Sequence, residues 1–104
     1  MSDQAELVLS PNMDLMAAGA LREDLIARRG SPLAINAGGV QRFGGLCLQV
    51  LISAKREWDA ASVPFSFTER SRDFDESVRL MGAMKSLGLA PQDGNAPEAN
   101  GARM

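Results

Sequence analysis

The chain has no histidine and no tyrosine, a single cysteine and a single tryptophan in 104 residues. Without histidine no Ser-His or Cys-His nucleophile and no ordinary His-bearing zinc site can be assembled. Neither a metal nor any other cofactor is expected. One cysteine, Cys47, forms no internal disulfide and agrees with a reducing compartment. No run of ~18 apolar residues is present, and no basic segment followed by an apolar one opens the chain, so direct membrane insertion is not expected and a cytoplasmic, soluble protein is. A basic excess is missing as well: eleven basic against thirteen acidic side chains leave a net charge of −2. Nucleic acid and acidic membrane surfaces favour a basic face and are therefore not expected partners.

What is present reads as one domain. The hydrophobic fraction of 45% suits a globular protein, and a chain this short buries only roughly 60–65% of its unfolded surface. Three similar cycles follow one another. Glu6–Ser10 (ELVLS) is a short Leu- and Val-rich strand, broken by Pro11 and Asn12. The stretch from Asp14 to Gly30 then spaces Ala18, Leu21 and Leu25 on one helical face, with Asp14 as N-cap and Gly30 as C-cap glycine behind Arg28 and Arg29. Pro32–Ala37 (PLAINA) is almost wholly apolar, as a strand buried on both faces would be. A second helix follows with Cys47, Val50, Leu51, Ala54 and Trp58 as inner stripe and Gln49, Ser53 and Arg56 opposite.

Val63–Glu69 puts Phe65 and Phe67 on one face of a third strand, and a third helix begins at Ser71 with Phe74, Val78 and Met81 facing inward. Gly82 ends that helix early and leaves a last turn to Gly88. Residues 91–104, rich in Gly, Pro, Asn and Ala and without periodicity, are expected to be a disordered tail behind a domain spanning 1–90. Alternating strands and helices of these lengths predict an α/β fold, a small mainly parallel sheet with helices packed on it and a reduced N-terminal strand.

Catalytic motifs find little support. Gly39–Gly44 has the opening spacing of a phosphate-binding loop, but Gly45 and Leu46 stand where that loop needs Lys and a hydroxyl. Asp73, Asp75 and Glu76 crowd the start of the third helix, where they complement its dipole. Cys47 near a helix N-terminus is either a thiol of lowered pKa or, as free cysteine commonly is, a small core residue. Trp58 sits on the apolar face, and the six methionines are scattered.

The second helix opens unusually, on Gly44-Gly45, where a side-chain cap is the rule. This segment, LAINAGGVQRFGGLCLQVLISA, resembles the STAS domain, whose simplest members are anti-sigma-factor antagonists. The usual pattern there is an apolar strand ending in Asp, a Gly-Val turn, an apolar residue and Asp-Ser-Ser-Gly-Leu opening an apolar helix. Gly39-Val40 matches the turn, Phe43 the apolar residue and Leu48–Leu51 the helix, while Asp14 matches the Asp of a Leu-Asp stretch before the first helix. The likeness covers roughly residues 6 to 88. In this alignment Asn36 takes the place of the strand-end Asp, Gly44 of the helix-opening Asp, Gly45 of the phosphorylated serine, Leu46 of the second serine and Cys47 of the glycine. The resemblance thus implies a STAS-like fold that has lost its phosphorylation switch, because Gly45 carries no hydroxyl.

Two readings of Gly44-Gly45 stay open: a tight turn beneath a neighbouring strand, or a docking site whose bare backbone a partner approaches. On the second reading Arg42, Phe43, Gly44, Gly45, Leu48, Gln49 and Ile52 are the partner-binding residues, with Arg42 and Gln49 as donors and Leu48 and Ile52 as apolar centre. The fragment GGLCLQVLISA is similar to small STAS proteins found beside bacterial chemotaxis histidine kinases, which implies an adaptor that binds such a kinase and modulates response-regulator phosphorylation or dephosphorylation. A STAS subunit of a lipid-transport ABC complex and an antagonist that has lost its phosphoserine are the alternatives. A monomer or weak dimer is expected, and a thiol-based function of Cys47 is the reading from a different class.

Overall fold

The most apolar strand of the sequence is the centre of the sheet. In the structure, a computed structural model that describes residues 5–89, Leu33–Ala37 (β3) lies between Ala5–Val8 (β1) and Phe65–Arg70 (β5), all three parallel. Leu33, Ala34, Ile35 and Ala37 of β3 are each 3% exposed or less. Residues 1–4 and 90–104, with them the expected tail, lie outside the described part of the chain.

The register sorts the two faces. Leu7, Ile35 and Phe67 stand in one row, the first two in the core and Phe67, half-buried, packed against it. The next row, Glu6, Ala34 and Ser66, faces the other way. There the Glu6 carboxylate accepts hydrogen bonds from Asn36 Nδ2 and Thr68 Oγ1, both at 3.2 Å. A register shift after Ile35 brings Glu69 rather than Thr68 opposite Asn36.

Helices Ala17–Ala27 (α1) and Gly45–Ala60 (α2) connect β1 to β3 and β3 to β5. Each connection steps one strand in the same direction, so right-handed crossovers put both helices on one face of the sheet. They run side by side and parallel. Near their N-termini Cys47 Sγ donates to the Asp14 carbonyl at 3.3 Å, and near their C-termini Arg29 pairs with Glu57. Ala18, Leu21 and Leu25 of α1 are buried as the spacing predicts. On α2 the buried set is Cys47, Leu48, Leu51, Ala54 and Trp58, with the Trp58 indole donating to the Ser31 carbonyl at 2.7 Å. Arg72–Leu80 (α3) begins at Ser71, whose Oγ accepts from the Phe74 amide at 3.0 Å. Phe74 is fully buried and its ring lies 4.7 Å from that of Phe43 and 5.7 Å from that of Phe67.

Several expectations are corrected. The first helix starts at Ala17, three residues after Asp14: Asp14 Oδ1 accepts from the amides of Met16 and Ala17, but it closes a separate turn, and Met16 is the residue before the helix. Val50 is only half-buried, and Leu48 takes the inner position beside Cys47. Met81 is 40% exposed because α3 has ended at Leu80 and Gly82, with φ +71°, turns the chain away. Two strands were not expected at all. Asn12–Met13 (β2) and Arg42–Phe43 (β4) form a two-residue parallel pair that ties the loop after β1 to the loop after β3. Two residues carry no periodicity by which a strand is recognised.

Candidate protein-docking site

The β2–β4 pair fixes the start of α2. Gly44 follows β4 directly, its amide donates to the Met13 carbonyl at 2.9 Å, and its own carbonyl accepts from the Leu48 amide at 3.1 Å. Gly44 is extended, with φ −93° and ψ 168°, as an N-cap residue should be, yet no side chain caps the helix. Its tightest neighbour would accept a side chain: a Cβ on Gly44 would stand 3.6 Å from the Met13 carbonyl oxygen. On Gly45, already in the helix and exposed, a Cβ would meet only the Met81 sulfur, at 4.0 Å. Neither glycine has a positive φ. The reading in which Gly44-Gly45 merely permits a tight turn therefore lacks a backbone reason, because neither conformation nor space demands glycine here.

The surroundings of this helix start are apolar and open. A shallow recess of about 370 Å³ runs over it, lined by Asp14, Leu15, Arg42, Phe43, Gly44, Gly45 and Leu46. Leu15 is 71% exposed, Met16 86%, Leu46 49% and Met81 40%. Large apolar side chains grouped in this way on a small domain mark an interaction surface more often than a free one.

Of the seven residues singled out from the sequence, Arg42, Gly45 and Gln49 are exposed, and Gly44 and Ile52 are half-buried. Phe43 and Leu48 are not surface residues. Phe43 is 6% exposed and packed at a tilt against the Phe74 ring, and Leu48 is 4% exposed in the core. Ile52 packs against that core too, so Leu48 and Ile52 do not form the apolar centre assigned to them. The exposed apolar side chains beside the helix start are instead Leu15 and Leu46, which line the recess, and Met81, whose sulfur comes nearest Gly45; sequence reasoning missed all three. Leu15 lies three residues before Ala18 and would join the inner stripe of a helix starting at Asp14; the turn at 14–16 throws it outward. Met81 lies three residues after Val78 and is displaced in the same way by the end of α3. Leu46 was visible, being out of phase with Cys47, Leu51 and Ala54.

The residues that could carry chemistry are otherwise occupied. Cys47 is fully buried, and burial first, then the charge of Asp14, pushes its thiol up from the ordinary value. The core reading of Cys47 holds, since a buried thiol of raised pKa is a poor nucleophile. Asp75 is 9% exposed, with Arg70 Nε 3.4 Å from Oδ1 and no hydrogen bond to either oxygen. Burial raises its pKa, and the Arg70 charge opposes the rise. Among the described residues no group of His, Cys, Asp and Glu could hold a metal ion, and no helix is long and apolar enough to cross a membrane.

Set against known proteins, the chain matches a family model described as "Mlab, STAS domain" over residues 1–90. No curated protein matches it.

Proposed function

The chain belongs to the STAS-domain family, whose members are generally non-catalytic binding or regulatory modules, and on that premise we propose that it is an adaptor docking a protein partner at the start of α2. We take the partner to be a histidine kinase of a chemotaxis-type two-component system, whose response-regulator phosphorylation or dephosphorylation the bound chain modulates. The observation that carries the docking is the exposed apolar group of Leu15, Leu46 and Met81 beside an uncapped helix start. Glycine at the position of the family's phosphorylated serine supports a contact that is not switched by phosphorylation of this chain, and the likeness of GGLCLQVLISA to the kinase-associated proteins supports the partner class.

Calorimetric titration of the purified chain into a chemotaxis histidine kinase, with and without ATP, tests the reading. Binding is expected in both, and no stable label from γ-labelled ATP on this chain. A chain that ignores the kinase, and binds the ATPase subunit of a lipid-transport ABC complex or an anti-sigma factor, overturns the partner assignment. A stable phosphoryl group on Ser53 or any other residue overturns the absence of a switch.

A further inference from the structure

Burial decides which sulfur atoms of this chain an oxidant can reach. The one thiol, Cys47, is fully buried with its Sγ on the Asp14 carbonyl, and is closed to attack. Among the described methionines, Met13 is 3% exposed, its sulfur 3.2 Å from Ser10 Oγ. Met84 is half-buried and packs against the core. Met16 and Met81 are left open. Met81 has a defined place at the docking surface: its Sδ is the neighbour that a side chain on Gly45 would meet, 4.0 Å from the Cβ position. The end of α3 puts it there, with the Met81 amide still bonded to the Ser77 carbonyl and Gly82 turning the chain behind it.

We propose that Met81 is a modification site, and that oxidation of its sulfur by a peroxide switches docking off. A lone pair of Sδ attacks one peroxide oxygen, the S–O bond forms and the O–O bond breaks. The sulfur gives up two electrons, and the other oxygen leaves as water, or as an alcohol from an organic hydroperoxide. The thioether, apolar and polarizable, becomes a polar sulfoxide. That group stands beside Leu46, next to the position from which the family's phosphoserine would project, and an apolar partner covering the surface has to desolvate it. The inference rests on the docking proposed above. It adds to that reading a control that needs no hydroxyl at residue 45 and that a methionine sulfoxide reductase reverses.

The full chain, treated alone with hydrogen peroxide and then freed of it with catalase, gives the test. Oxygen uptake is mapped by peptide mass spectrometry, and the chain is titrated calorimetrically into the chemotaxis histidine kinase. Met81 is expected to take up one oxygen while Met13 and Cys47 take up none, with unchanged circular dichroism. The oxidised chain is expected to bind at least about tenfold more weakly than the reduced one, and reduction of the sulfoxide to restore binding. Met81→Leu is expected to keep its affinity through the same treatment, although Met16 is oxidised in it. Oxidation of Met13 or Cys47 ahead of Met81 overturns the proposal. So does a Met81 sulfoxide that binds like the reduced chain, or a Met81→Leu chain that loses affinity as the wild type does; in both cases the docking itself stands. A reduced wild-type chain that ignores the kinase overturns the docking reading, and the switch with it.

Discussion

Gly45→Glu separates folding from docking because the two effects have opposite signs. Gly45 is the first residue of α2, is exposed and has helical backbone without a positive φ. A Cβ there would touch only the Met81 sulfur, at ordinary van der Waals distance. The glutamate therefore enters without strain. Removing glycine from a helix is worth up to about 1 kcal/mol, and a carboxylate in the first turn adds about 0.3–1 kcal/mol through the helix dipole. Allowing for the small propensity effect so near the helix end, a gain of roughly 1 kcal/mol raises the thermal midpoint by about 4–8 °C. The same side chain fills the recess over the helix start and puts a charge among Leu15, Leu46 and Met81, where a partner would have to desolvate it. Loss of one central contact costs about 2 kcal/mol or more, roughly thirtyfold in affinity. The assay is differential scanning calorimetry beside calorimetric titration of the kinase. A lowered midpoint refutes the argument that the site has room. A raised midpoint with wild-type affinity refutes the placement of the interface.

Leu46→Asp, at a half-exposed position in the same first turn, should weaken kinase binding at least about tenfold without lowering the midpoint; Gln49→Ala should weaken it less and Arg56→Ala least. Cys47 should react with a thiol reagent at pH 8 on the order of a hundredfold slower than in denaturant, since the thiol is buried and its pKa raised; fast labelling of the folded chain would contradict this. Asp75 has a folded-state pKa raised by burial, so between its unfolded and folded values the native state binds more protons, and its contribution to stability falls as pH rises through that window. The midpoint of the wild type relative to Asp75→Asn should accordingly increase as pH is lowered from 7 toward 4, and a difference independent of pH would refute the assignment.

The fold was legible where burial and period agree. PLAINA announced the central strand by its apolar run, although that run implied cover on both faces and the helices lie on one, the other carrying Glu6, Ala34, Asn36 and Ser66, and Ala18, Leu21 and Leu25 announced α1 by their spacing. Ser71 was legible as a cap since a hydroxyl before an amphipathic stretch has that one local use, and Gly82 as a stop because it turns the chain with positive φ. The β2–β4 pair was not legible. Its residues are chosen by a contact across thirty positions of sequence, and two residues are too few to show alternation. The helix starts and ends failed for a related reason: Asp14 is a good cap by chemistry, and only the turn it closes before Ala17 shows that it caps something else.

That failure also concealed the centre of the proposed site. A reader who starts α1 at Asp14 and lets α3 run through Met81 places Leu15 and Met81 inside, and then has to build the docking surface from Leu48 and Ile52. In the folded chain the late start of α1 and the early end of α3 leave Leu15 and Met81 exposed, next to a helix start that glycine leaves bare. The consequence bears on regulation. A phosphoserine at this position would carry nearly two negative charges in among Leu15, Leu46 and Met81, stabilised by the helix dipole but costly for any apolar partner to desolvate. Such a group is a suitable surface for a contact that phosphorylation abolishes. With glycine at residue 45 the group is kept and the charge can never be placed, so on the proposed reading docking is not switched by phosphorylation of this chain.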